Sequence, residues 1–161
     1  MKRLVLMCVL AGVLACGAWA ADDTAMTHPD TSGWDKLFEE DLSNARKPKG
    51  VWTFEDGVLT ASEDKCIWTA EEYDNFMLDL EFKTADGTNS GVIVYCSNPA
   101  NWIPNSVEIQ IADDHAKKWA ESPKTWQCAA IFGHLPARKS VVKQPGNWNR
   151  MTVKCVDQQI D

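Results

Sequence analysis

Glu108, Gln110, Asp113 and His115 fall within one run, NSVEIQIADDHA (105–116), and their types and spacing invite a chemical reading. Glu108 and Gln110 alternate with Val107, Ile109 and Ile111. A strand here would bury the aliphatic residues on one face and carry a carboxylate and an amide on the other, ~6.5–7 Å apart. Glu108 is the candidate general base, and Gln110 suits a hydrogen bond to a ligand hydroxyl. Asp113 and His115 stand where the strand must end, a common place for site residues on a rigid scaffold. His115 changes charge near neutral pH and is the candidate proton donor to a leaving group. Plainer readings stand beside these: Glu108 on a wetted face or paired with Lys83, and Asp113 capping a turn at 114–120. Asp113 and His115 supply two possible metal ligands, too few for a site. No cofactor is expected, and a divalent metal is left open.

The elements that must position these groups read as strands. VWTF (51–54) and VLTA (58–61) flank Glu55-Asp56-Gly57, and Asp-Gly between strand-like runs signals a hairpin. KCIW (65–68) is another short strand. In NFMLDLEFK (75–83), Phe76, Leu78, Leu80 and Phe82 share one face, and Met77, Asp79, Glu81 and Lys83 the other. SGVIVYCS (90–97), QCAAIF (127–132) and MTVKCV (151–156) complete the set, with short helical turns expected at 35–42 and 113–120. Many short strands with glycine and proline turns predict an all-β sandwich or barrel. Glu81, Lys83, Glu108 and Gln110 are expected together on a polar face that receives a ligand.

Residues 1–20 read as a leader: Lys2 and Arg3, then apolar Leu4–Leu14, then the A-x-A site Ala18-Trp19-Ala20. Cleavage before Ala21 predicts an exported chain, periplasmic or secreted. Val13-Leu14-Ala15-Cys16 also approximates a lipobox, and only lipidation at Cys16 would bring a membrane into play. Residues 21–32 read as a flexible linker, with His28 as a solvated residue within it. Losing Lys2 and Arg3 takes the formal charge from −7 to −9. A chain so acidic repels nucleic acid and anionic lipid, so no nucleic-acid partner is expected and a small carbohydrate is favoured. Cys66, Cys96, Cys128 and Cys155 remain after the leader, with no C-x-x-C spacing. One disulfide and four buried thiols are both open.

The order of motifs over 33–161 resembles the 3-keto-disaccharide hydrolase-like family. It runs from Gly33-Trp34-x-x-Leu37-Phe38 and Trp52-x-x-Glu55-Asp56-Gly57 through Trp68-Thr69-x-Glu71-x-Tyr73 and Leu80-Glu81-Phe82-Lys83. Asn89-Ser90-Gly91-Val92, Val107-Glu108-Ile109-Gln110-Ile111 with Asp113-Asp114, and Pro145-Gly146-x-Trp148-Asn149 follow. Tyr95 stands where the family has arginine, and Phe132 where it has tyrosine. The resemblance implies a concanavalin-like jelly-roll sandwich over 33–161. Family members continue beyond the position of Asp161, so the chain reads as partial, with its last strands absent and its stability marginal.

The resemblance further implies cleavage of glycosides already oxidised at C3. A ketone there acidifies the C2 hydrogen, a base removes it, the aglycone leaves from C1, and water adds to the product. Such a site needs a base near C2, a proton for the leaving oxygen and electrophilic groups at the C3 oxygen. Glu108, His115 and Asp113 are the catalytic candidates; Gln110, Glu81, Lys83, Asn89 and Trp102 the substrate-binding ones. Asn89 has a turn-forming reading before Gly91, and His134 reads as a loop residue. Trp102 and Trp119, in loop-like stretches, are candidates to stack on a sugar ring. A lectin-like carbohydrate-binding module is the alternative, since the fold serves both.

Overall fold

A computed structural model describes the backbone of Leu4–Gly12 and the whole of residues 27–161. The A-x-A site and the lipobox lie outside the described residues. Ten strands are described: β1 (Leu4–Gly12), β2 (Ala45–Arg46), β3 (Trp52–Glu55), β4 (Val58–Ala61), β5 (Trp68–Thr69), β6 (Phe76–Lys83), β7 (Asn89–Val94), β8 (Val107–Ala112), β9 (Trp148–Val156) and β10 (Gln159–Ile160). Helix among the described residues is confined to three short 3-10 turns and α1 (Lys117–Ala120). The all-β class expected from the alternation therefore holds.

The chain divides into two units. One is built from residues 5–82 and 150–161. Its strands follow the order β10-β9-β6-β1-β4-β3, beside a β2-β5 ribbon. Its hairpin β3–β4 closes between Glu55 and Val58 through Asp56 (φ 52°) and Gly57 (φ 78°). Two positive φ values in succession make the type I′ turn that Asp-Gly favours. Phe38, Leu42 and Leu59 are buried there, with Leu37, Trp52, Phe54 and Ile67 packed against them. The helical turn expected at 35–42 does not form. Asn44 Oδ1 accepts from the Glu39 N–H (2.9 Å) and Asp41 Oδ1 from the Ser43 N–H (2.8 Å), so side chains take donors a helix would need. Residues 27–29 are docked rather than loose. His28 Nδ1 lies 3.0 Å from Thr152 Oγ1, and Arg150 donates to the Pro29 carbonyl (3.1 Å).

The second unit is chiefly Lys83–Asn149 and contains the antiparallel pair β7–β8. Val94, Ile109 and Ile111 are buried in it, with Trp119, Cys128 and Ala130. No disulfide joins any two of Cys66, Cys96, Cys128 and Cys155. The expected strand at 127–132 is reduced to single bridges, Ile131 pairing with Ile109 and with Leu135. Ala129, at φ 63°, bends the chain just before it.

Candidate functional site on the β7–β8 pair

The register of β7 on β8 decides which side chains meet. Gly91 faces Gln110, Ile93 faces Glu108, and Asn89 faces Ala112. Directly opposed residues share a face, so Asn89, Gly91, Ile93, Glu108 and Gln110 stand on one side of the pair. Val92, Val94, Val107, Ile109 and Ile111 stand on the other. Glu108 and Gln110 thus share a face, as their alternation predicts.

Both polar side chains lean diagonally toward β7. A Cβ placed on Gly91 would lie 2.6 Å from Glu108 Cγ and 2.8 Å from its Cδ, and nearer still to Oε1. The Glu108 carboxyl therefore occupies the space that a side chain at position 91 would fill. Gln110 makes the same diagonal toward Asn89, donating from Nε2 to Asn89 Oδ1 (2.9 Å) and to the Trp126 carbonyl (3.3 Å). Gln110 is fully buried and its Oε1 has no hydrogen-bond donor. A buried acceptor without a donor is costly, and a bound water would satisfy it.

This face is only partly open: Asn89 is exposed, Gly91, Ile93 and Glu108 are half-buried, and Gln110 is buried. Segment 129–132 pairs along β8: the Gln110 N–H donates to Ala130 O (2.9 Å) and the Phe132 N–H to Glu108 O (2.9 Å). Trp126, preceding that segment, packs its ring on Phe132. Sequence reasoning passed over Trp126. The available signal was a large aromatic in a polar loop, the same signal that drew attention to Trp102 and Trp119.

The remaining candidates fall elsewhere. Asp113 is fully buried, its Oδ2 accepting from the Gly87 N–H (2.7 Å) and its Oδ1 from the His115 N–H (3.2 Å). It clamps the end of β8 to the Asp86-Gly87 turn, a structural use of the carboxylate. His115 is exposed, with Nε2 3.0 Å from Val142 O and Nδ1 3.1 Å from Gln144 Nε2. An amide nitrogen can only donate, so Nδ1 accepts and Nε2 carries the proton to Val142. Five residues of extended chain, ~16 Å, separate Glu108 from Asp113, so β8 does not bring Glu108 and His115 together. Trp119 is buried and donates to Gly87 O (3.3 Å), which removes it as a platform. Trp102, half-buried between two 3-10 turns, precedes β8 and accepts from Ser106 Oγ (2.8 Å). His134 is exposed in a loop.

Glu81 and Lys83 belong to β6, in a different sheet from Glu108 and Gln110. They do not share a strand pair with the carboxylate. Lys83 Nζ lies 4.9 Å from the Trp148 ring centroid, a cation–π contact. The described residues hold no cluster of three or more His, Cys, Asp or Glu suited to a metal.

Residues 29–161 match the family model of the 3-keto-alpha-glucoside-1,2-lyase-like domain, a carbohydrate-active class. The chain belongs to that family. It is similar to the crystal structure of a "putative glycosyl hydrolase" from Parabacteroides distasonis ATCC 8503. That similarity has 56% identity and a TM-score of 0.75, over 77% of this chain and 64% of that one. This chain therefore spans less than two thirds of that relative's length. A second structure of the same description and organism shares the fold at 22% identity and a TM-score of 0.66, over 86% of this chain and 72% of that one. No curated protein matches the sequence.

Proposed function

We propose that the protein is an exported carbohydrate-active enzyme that cleaves 3-keto-glycosides by elimination and hydration, with Glu108 as the base. The observation that carries this reading is the Glu108 carboxyl laid over the bare Cα of Gly91, on the face it shares with Gln110. A carboxylate so placed can meet the C2–H of a ring lying on that face. Glu108 takes the C2 proton, the electron pair enters the C2–C3 bond as an enolate, and collapse of the enolate expels the aglycone from C1. The leaving oxygen takes a proton from the newly protonated Glu108 or from water. His115 lies beyond the end of β8, engaged with Val142 O and Gln144 Nε2, and has no part in this step. Water then adds at C1 and supplies the proton that Glu108 delivers to C2. Gln110 Oε1, buried and without a donor, suits a water that bridges to the site.

Glu108→Gln keeps the size and loses the proton acceptor. Aglycone release from a 3-keto-glucoside should fall ~10²–10⁴-fold with binding retained. Exchange of deuterium from solvent into C2 should slow in parallel. Normal turnover in a folded Glu108→Gln protein would remove the base from this position. Loss of binding together with turnover would favour a lectin-like module in which Glu108 accepts a hydroxyl. Export predicts a mature N-terminus at Ala21, read by intact-mass spectrometry; a chain beginning at lipidated Cys16 would replace secretion with anchoring.

A further inference from the structure

The Glu108 face has two flanks. On the β7 side, Gly91 gives the carboxyl its space. On the other side, the antiparallel bridge of Ile131 with Ile109 puts Phe132 directly across from Glu108. Opposed residues share a face, so Phe132 is placed on the Glu108 side of the pair, their backbones one strand spacing, ~4.8 Å, apart. Trp126 stacks on Phe132, with centroids 5.6 Å apart and planes 30° from parallel.

That stack covers one side of the indole. Trp126 nevertheless remains 43% exposed, among the most exposed large hydrophobic residues of its unit. Its backbone is held at both ends, the N–H donating to Pro123 O (2.8 Å) and the carbonyl accepting from Gln110 Nε2 (3.3 Å). An indole packed on Phe132 and still 43% exposed offers a flat apolar surface, which suits the C–H face of a sugar ring. One strand spacing plus one stacking distance sets it on the order of 10 Å from the Glu108 backbone. The C2 atom of a 3-keto ring must come within hydrogen-bond reach of the carboxylate itself. The ring over Trp126 is then the neighbouring one.

Resting on the reading of Glu108 as the base, we propose that Trp126, backed by Phe132, forms the leaving-group subsite and takes the second pyranose of a 3-keto-disaccharide. Its contribution is to affinity for that sugar and not to proton transfer.

The test compares a 3-keto-disaccharide with methyl 3-keto-glucoside on the full chain. Trp126→Ala should raise KM for the disaccharide roughly 3–10-fold with little change in kcat and leave the methyl glycoside unaffected. Trp126→Phe should restore most of the loss. A KM unchanged for both substrates, or raised equally for both, overturns the subsite while the base at Glu108 stands. A second readout does not need turnover: saturation-transfer NMR of an unoxidised disaccharide on the Glu108→Gln chain, with and without Trp126→Ala. If the unmodified chain cleaves neither substrate yet Trp126→Ala abolishes disaccharide binding, the subsite stands and the proposed chemistry falls. Binding unchanged by Trp126→Ala overturns the subsite whatever the activity.

Discussion

Opposite Gln110, a side chain of any size on β7 would fill the space into which the Glu108 carboxyl leans. Gly91 is not in the left-handed region, so its backbone tolerates alanine; the obstacle is the close approach of Glu108. Gly91→Ala should therefore push the carboxyl aside with the strand pair intact. Overpacking of this kind costs ~1–3 kcal/mol. We expect a modest drop in melting temperature and a fall in turnover well beyond the loss of binding, read by thermal denaturation beside steady-state kinetics. The Asn-Ser-Gly motif was visible in the sequence. Its physical meaning was not, because it depends on which residue of a strand sixteen or so positions later lies diagonal to the glycine.

At the scale of elements, the lock between β6 and β9 shows what periodicity reads and what it misses. Asp79 is 1% exposed, although the alternation assigns it to the polar face. Arg150 Nε donates to both of its oxygens (3.0 and 2.9 Å), and Thr152 Oγ1 donates to Oδ1 (2.8 Å). Asp79→Ala would take a buried acceptor from Arg150 and Thr152; Arg150 is partly exposed and can turn to water, so the loss should be ~1–3 kcal/mol in urea unfolding. Breaking the exposed pair Lys36–Glu40 should cost under ~0.5 kcal/mol. The period of two did identify β6, β8 and the shared face of Glu108 and Gln110. It could not show that Gln110 and Asp79 are covered, since coverage comes from segments far along the chain. Trp126 reads in the sequence only as an aromatic in a polar loop; its place against Phe132 and so beside β8 is set by the 129–132 pairing, which no local pattern encodes.

For the whole molecule, the buried Cys128 thiol makes stability depend on alkaline pH. Burial pushes Cys128 up from 9.0 to about 11, with the Asp114 charge adding to the effect. The folded state thus favours the neutral thiol. Below pH 9 both states hold the proton and the stability is fully present; between about pH 9 and 11 the unfolded chain ionises first and stability falls. The loss attributable to Cys128 is at most ~2–3 kcal/mol. Urea melts of Cys128→Ala and the unmodified chain at pH 8 and pH 10.5 should show a smaller alkaline loss in the variant. An equal loss in both would assign the alkaline sensitivity to other groups.

The clamp of Asp113 on Gly87 reaches into the chemical ageing of the protein. Asp-Gly sequences isomerise when the glycine nitrogen attacks the preceding aspartate carboxyl and closes a succinimide ring. At Asp86-Gly87 that nitrogen is buried and holds its hydrogen on Asp113 Oδ2 (2.7 Å), so it is turned away from the attack. At Asp56-Gly57 both residues are exposed at the tip of the β3–β4 hairpin, and no such clamp covers them. Isoaspartate should accumulate at the hairpin tip, while the turn beside β8 keeps its native backbone.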